Sequence, residues 1–156
     1  MVIENTFKRK EPVKKKVEKI INAGYDVQAR IVVSSYDKSM LGGYARYEDR
    51  KEKSGTGRFI HEDRLNDGYN ALPDSLQTFK EQNVFSSIQL HTREGVLFDG
   101  DYRNTDIVAI VKQERCREYT PVEVKFLSDG WEKVGNQMQA RKNLRKSLIE
   151  WKIVSK

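Results

Sequence analysis

Val27-Gln28-Ala29-Arg30-Ile31-Val32-Val33 is the stretch that decides the fold. It is rich in β-branched residues and apolar along most of its length, which is how a strand buried on both faces reads. Upstream of it, Val13, Val17, Ile20 and Ile21 recur at helical spacing. Pro12 suits the first turn of that helix, where its missing N–H costs nothing, and Gly24 suits its stop. Further back, Met1-Val2-Ile3 is strand-like and ends abruptly at Glu4-Asn5-Thr6-Phe7-Lys8. Strand, helix and strand within about 30 residues make a βαβ unit, so the expected fold class is α/β, a parallel sheet flanked by helices. Ligands of such sheets bind outside the carboxyl ends of the strands. That rule puts Glu4, Thr6 and Lys8, with the Ser34-Ser35 end of the second strand, at the functional rim.

Downstream, Asp37 or Ser39 can cap a helix from Met40 to about Arg50 whose Met40, Tyr44 and Tyr47 share a face. It leads into Tyr44–Phe59, YARYEDRKEKSGTGRF, whose Ser54-Gly55-Thr56-Gly57 tip reads as a mobile loop. Arg46 and Arg58 bracket this run, one on either side of a hinge. A guanidinium carries five donors in a rigid fork, so a converging pair suits phosphate or carboxylate. The alternative for a charged run is a solvated surface. Glu62 to Gln82 reads as a helix broken near Leu72-Pro73, and Val84 to Phe98 as two strands around the turn Arg93-Glu94-Gly95. Thr105 is placed to start a helix bearing Ile107, Ile110 and Val111. Thr120-Pro121-Val122-Glu123 has the threonine, proline and glutamate of a capping box. From there Val124, Leu127, Trp131, Val134, Met138, Leu144, Leu148 and Trp151 keep three-or-four spacing. The chain therefore ends in a long amphipathic helix, with Gly130 and Gly135 as candidate interruptions.

A chain of 156 residues suffices for one domain with a real core. Charged side chains make up 33% and apolar ones 37%, and the tyrosine, phenylalanine and β-branched content argues for a folded domain with exposed helices. No stretch approaches the roughly 18 apolar residues that cross a bilayer, and nothing resembles a signal peptide, so a cytoplasmic protein without membrane contact is expected. A single cysteine, Cys116, and the distant His61 and His91 offer neither an internal disulfide nor a zinc-site spacing. The net charge of +6 sits at the two ends: seven basic against three acidic side chains in residues 1–20, eleven against fourteen in 21–111, eleven against six in 112–156. Basic ends suit nucleic acid, a polyanionic small ligand or an acidic protein partner. With no zinc finger, recognition-helix pair or RNA-stacking motif, sequence-specific nucleic-acid binding is not expected.

Taken in order, VIENTFK, NAGYDVQARIVVSSYDKS, YARYEDRKEKSGTGRF, LPDSL and SSIQLHTREGVLF resemble the carboxyl-terminal part of the zeta toxin family of P-loop kinases. The resemblance runs from Met1 to Asp99 in unbroken order, which is more specific than any one motif. It implies part of a kinase domain over residues 1–102 and a helical extension over 103–156. Members of that family use ATP with Mg2+ to phosphorylate UDP-N-acetylglucosamine on its sugar 3′-hydroxyl. They act as toxins that block cell-wall synthesis until an antitoxin protein occludes the nucleotide site. By this resemblance Glu4, Thr6 and Lys8 match the family's Glu-x-Thr-x-Arg motif, which holds the sugar nucleotide, with lysine in place of arginine. Arg46 and Arg58 match the two arginines that stabilise charge on the transferred γ-phosphate.

No G-x-x-x-x-G-K-[ST] occurs in the sequence, so the loop that would cradle the β- and γ-phosphates, with its magnesium-holding hydroxyl, is absent from this chain. The family's catalytic base aspartate and a second substrate carboxylate precede the strand matched by Met1-Val2-Ile3. Asp26, Asp37 and Asp67 do not match that position and read as turn, cap or surface residues. The expectation is a zeta-toxin-like fragment, inactive alone, whose partner is an antitoxin protein or a missing amino-terminal half. The other readings are a non-catalytic remnant or binding module whose basic carboxyl-terminal helix holds an acidic partner, and a non-specific binder of nucleic acid. His61, just after Arg58, reads as an exposed loop residue or a phosphate contact, and Trp131 and Trp151 as packing on a helix stripe.

Overall fold

The computed structural model describes the backbone of residues 2–59 and 61–154, and the side chains of 2–59 and 61–142. The chain divides into two compact units, Met1–Tyr36 with His61–Arg117, and Asp37–Ile60 with Glu118–Lys156.

In the first unit, helix α1 (Lys10–Asn22) buries Val13 and Val17 and stops at Gly24, whose φ of 85° is left-handed. That conformation lets the Gly24 N–H reach the Ile21 carbonyl at 2.8 Å and the Tyr25 N–H reach that of Ile20 at 3.2 Å, which closes the helix end. Strand β1 (Gln28–Val32) pairs in parallel with β2 (Ser87–His91), placing Ala29 opposite Ile88 and Ile31 opposite Leu90. The β1 and β2 strands are separated in sequence by helices α2 (Tyr36–Ser54) and α3 (Glu62–Glu81). Strand β3 (Val96–Asp99) pairs antiparallel with β2, so the sheet is mixed rather than wholly parallel. Its turn, closed by Thr92 N–H to Gly95 O at 2.8 Å, is far too short for the crossover that a parallel neighbour requires.

Two strand expectations change. Residues 2–9 form no strand, and Val2 is 93% exposed; Met1 lies outside the described residues. A strand needs a neighbour to take its N–H and C=O groups, and no described strand lies beside this segment. β1 is buried on one face only: Ala29 and Ile31 point inward while Gln28, Arg30 and Val32 are exposed. Composition suggested two buried faces because Val32 is as apolar as its neighbours, yet it is 66% exposed.

The core joins Ile31 and Val33 of the first strand region to Leu72, Leu76 and Phe79 of α3, Ile88 and Leu90 of β2, and Ile107 and Val111 of α4 (Ile107–Cys116). Each such side chain, fully withdrawn from water, contributes roughly 1.5–3 kcal/mol. Tyr102 is also in this core, donating its hydroxyl to Phe85 O at 2.6 Å. Burial pushes its phenol pKa upward, which keeps the donor protonated.

The break expected at Leu72-Pro73 is absent, and α3 runs through the proline. Pro73 lacks the N–H that the Tyr69 carbonyl would accept from four residues ahead. Arg115 of α4 supplies the missing donor: its Nη1 reaches Tyr69 O at 2.8 Å and its guanidinium lies 3.7 Å over the Tyr69 ring. α4 starts one residue later than expected, because Asp106 rather than Thr105 caps it, accepting the Ala109 N–H at 2.9 Å. The Thr105 hydroxyl instead donates to Asp101 O.

The second unit is built on α2 and α5 (Pro121–Val154). α2 outruns the expected Met40 to Arg50 at both ends and stops before Gly55, whose φ of 68° is left-handed. The capping box forms as the sequence predicts, with Thr120 N–H to Glu123 Oε2 at 2.8 Å and Glu123 N–H to Thr120 Oγ1 at 3.3 Å. Neither Gly130 nor Gly135 interrupts α5. Gly130 is instead a close contact, since a Cβ there would lie 2.5 Å from Leu41 Cδ2. The side chains of Leu144, Leu148 and Trp151 lie outside the described residues. Among the described residues no helix is long and apolar enough to cross a membrane.

Candidate functional site

In the first unit, Glu4 to Lys8 is a coil whose shape is set by Phe7. Phe7 has a φ of 54°, a left-handed conformation that costs a residue with a Cβ roughly 1–2 kcal/mol. Three contacts hold it there. Its N–H donates to Asn5 Oδ1 at 2.8 Å, its carbonyl accepts from Ser75 Oγ at 2.7 Å, and its ring packs on Phe79 and Phe85 at centroid distances of 5.5 and 6.0 Å. Glu4 and Thr6 are exposed and make no hydrogen bond to a described residue. Lys8 is also exposed, and its Nζ pairs with Asp67 Oδ2 of α3 at 2.7 Å. Two helical turns on, Lys10 pairs with Asp74 at 2.6 Å.

Asp67, Ser75 and Asn5 are the residues that the fold brings to this segment. For Asn5 a signal exists, since Asn accepting from the N–H two residues ahead is a common turn device. Asp67 and Ser75 carry no local signal, because both reach the segment only through the folded position of α3.

In the second unit, Arg46 lies on α2 and Arg58 follows it in the loop. Both are exposed, and neither forms an ion pair with a described residue; Arg46 Nε donates back to Gly42 O at 3.0 Å. The stretch between them folds back on its helix. Gly55 N–H caps Lys51 O at 3.0 Å, and Ser54 Oγ binds both Arg50 O and Thr56 O. Gly57 passes so close that a Cβ would meet Tyr47 Cδ2 and Tyr47 O at 3.1 Å. Phe59 then packs edge-on against Tyr44 at 5.3 Å and Tyr47 at 5.2 Å. Since Tyr44 and Tyr47 flank Arg46 on its own helical turn, this aromatic latch returns the segment carrying Arg58 to the turn carrying Arg46.

Helix α5 braces that turn. Lys38 pairs with Glu123, both buried, and Arg141 pairs with the buried Glu48. Gln137 and Lys133 both donate to Asp49, at 3.1 and 3.2 Å, which holds its carboxyl below the usual aspartate range. Trp131 closes on Tyr44 at 5.5 Å. His61 is an exposed residue at the N-cap of α3, its carbonyl accepting the Arg64 and Leu65 N–H groups.

The mixed sheet with flanking helices and a long carboxyl-terminal helix defines an α/β protein. The family model for Zeta toxin matches residues 1–103, and the chain belongs to the zeta toxin family. It is similar to Toxin PezT of Streptococcus pneumoniae serotype 4 (strain ATCC BAA-334 / TIGR4), at 22% identity over 144 residues, 89% of this chain and 56% of PezT. It is also similar in fold to a solved structure from the PezAT chromosomal toxin-antitoxin system of Streptococcus pneumoniae. There the TM-score is 0.71 at 22% identity, over 87% of this chain and 54% of that one. The chain spans little more than half the length of either relative.

Proposed function

We propose that the chain is the sugar-nucleotide-binding and phosphate-stabilising part of an ATP-dependent UDP-N-acetylglucosamine kinase, the toxin of a toxin-antitoxin system. Glu4 and Thr6 take hydroxyls of the sugar nucleotide and Lys8 takes diphosphate charge. Arg46 and Arg58 meet the negative charge that builds on the transferred phosphoryl oxygens. The observation that supports this most is the latch: two exposed arginines, unpaired among the described residues, drawn to one turn by Phe59 against Tyr44 and Tyr47. A solvated surface pair needs no such device.

The residues present do not fit the phosphate donor. The sequence has no Walker A loop, whose backbone N–H groups would cradle the phosphates and whose hydroxyl would help hold magnesium. The donor site therefore falls to the portion of the relatives' length that this chain does not span, and the chain alone transfers no phosphate. A cytoplasmic location and an antitoxin protein as partner belong to the same reading.

The test mixes the chain with the amino-terminal, P-loop-bearing half of a zeta toxin and follows ATP-dependent phosphorylation of UDP-N-acetylglucosamine. Transfer is expected only in the mixture, and Arg46→Ala or Arg58→Ala lowers it by about 10²–10³-fold, the usual loss when a charge-stabilising donor is removed. A mixture without transfer overturns the reading.

A further inference from the structure

The segment Glu4-Asn5-Thr6-Phe7-Lys8 divides its labour by position. Its even-numbered residues, Glu4, Thr6 and Lys8, are exposed, and neither Glu4 nor Thr6 spends its polar atoms on a described residue. Its odd-numbered residues are committed to the turn. Asn5 accepts the Phe7 N–H at 2.8 Å, while the Phe7 carbonyl accepts from Ser75 Oγ at 2.7 Å and the Phe7 ring packs on Phe79 and Phe85. An extended strand through these five residues would put 4, 6 and 8 in a straight row on one face. The left-handed Phe7 bends the chain after Thr6 instead, and the bend delivers Lys8 to α3, where its ammonium meets Asp67 at 2.7 Å.

A strained conformation persists only where its surroundings over-determine it, and such strain clusters where geometry serves a ligand. The hydroxyl that pins Phe7 belongs to Ser75, which is 1% exposed and has no water to turn to. We infer that Asn5 and Ser75 are positioning residues: by holding Phe7 left-handed from both sides, they set the spacing of Glu4, Thr6 and Lys8 that a nucleoside diphosphate sugar meets. This inference rests on the functional reading given above. It adds to it that the two intervening positions of the motif, and a serine some 70 residues away in sequence, determine its geometry.

The experiment titrates UDP-N-acetylglucosamine into the 156-residue chain and follows backbone amide shifts of residues 4–8 by NMR. Four variants are compared: Asn5→Ala, Asn5→Ser, Ser75→Ala and Asp74→Asn. Asn5 is exposed, so its variants leave the core untouched. Asn5→Ala and Ser75→Ala are each expected to weaken binding about tenfold, with the Phe7 amide coupling moving away from its left-handed value. Asn5→Ser, which keeps an acceptor, restores most of the affinity, and Asp74→Asn, which breaks only the neighbouring Lys10 pair, changes neither readout. Wild-type binding that survives Asn5→Ala and Ser75→Ala unchanged overturns the positioning role and leaves the functional reading standing. A wild-type chain whose residues 4–8 do not respond to the ligand overturns both.

Discussion

At the scale of single residues, Lys8 is the most informative departure. A lysine keeps the charge of the arginine it replaces but lacks the planar fork that grips two phosphate oxygens at once. Here its ammonium is already engaged by Asp67, an exposed pair of the kind that contributes at most about 1 kcal/mol. On the proposed reading, a ligand phosphate competes with that carboxylate. Asp67→Asn is therefore expected to tighten UDP-N-acetylglucosamine binding about threefold, well within the worth of such a pair. Lys8→Arg tightens it further, and Lys8→Ala weakens it. Calorimetric titration decides, and an Asp67→Asn chain that binds more weakly than wild type would show that Asp67 helps the ligand rather than opposing it. Glu4, Thr6 and Lys8 read from the sequence as a strand-end motif, but the segment that carries them is a coil. Asp67 was not legible in the sequence, since 59 residues separate it from Lys8 and only the packing of α3 joins them. Gly57 is a middle case: its glycine was visible, but the reason for it, Tyr47 at 3.1 Å, was not.

At the scale of elements, local rules succeeded wherever the partner was local. Gly24 ends α1, and Thr120 with Glu123 opens α5, because those bonds close within a few residues. The rules failed where another element supplied the missing group. Pro73 was expected to break α3, and it does not, because Arg115 donates to the carbonyl that the proline orphans. Gly130 was a candidate interruption of α5 and proves to be a position where a Cβ would collide with Leu41. The proline case is testable by a double-mutant cycle on thermal or urea unfolding. Arg115→Met removes the donor to the Tyr69 carbonyl and costs about 1–3 kcal/mol. Pro73→Ala restores the helical N–H, so in that background Arg115→Met is expected to cost markedly less, a coupling of about 1–2 kcal/mol. Additive costs would mean that Arg115 stabilises only through its stack on Tyr69, at 3.7 Å.

At the scale of the whole molecule, β1 is the feature that the chain leaves open. Strands in parallel pairs are ordinarily covered on both faces, yet Gln28, Arg30 and Val32 are exposed. The bonds from Val33 N–H to His91 O and from Ser86 N–H to Val27 O show that odd-numbered residues face β2. The N–H and C=O groups of Arg30 and Val32 therefore point to the other edge, along which no described strand pairs. The sequence could reveal that a strand ran here but not that one face and one edge would be free, since composition does not count neighbours. On the proposed reading, the strand of the donor-bearing half is expected to pair along this edge. Arg30→Pro separates the two roles of the strand. Proline at an edge-facing position removes no bond to β2 and is tolerated at sheet edges, but it cannot donate to an added strand. The isolated variant is expected to melt within a few degrees of wild type, about the shift that 1 kcal/mol produces at this size. Added amino-terminal half at one hundred times its dissociation constant should stabilise wild type by about 2.7 kcal/mol and leave the Arg30→Pro chain unchanged. Equal stabilisation of both chains would mean that the sheet is not extended at β1.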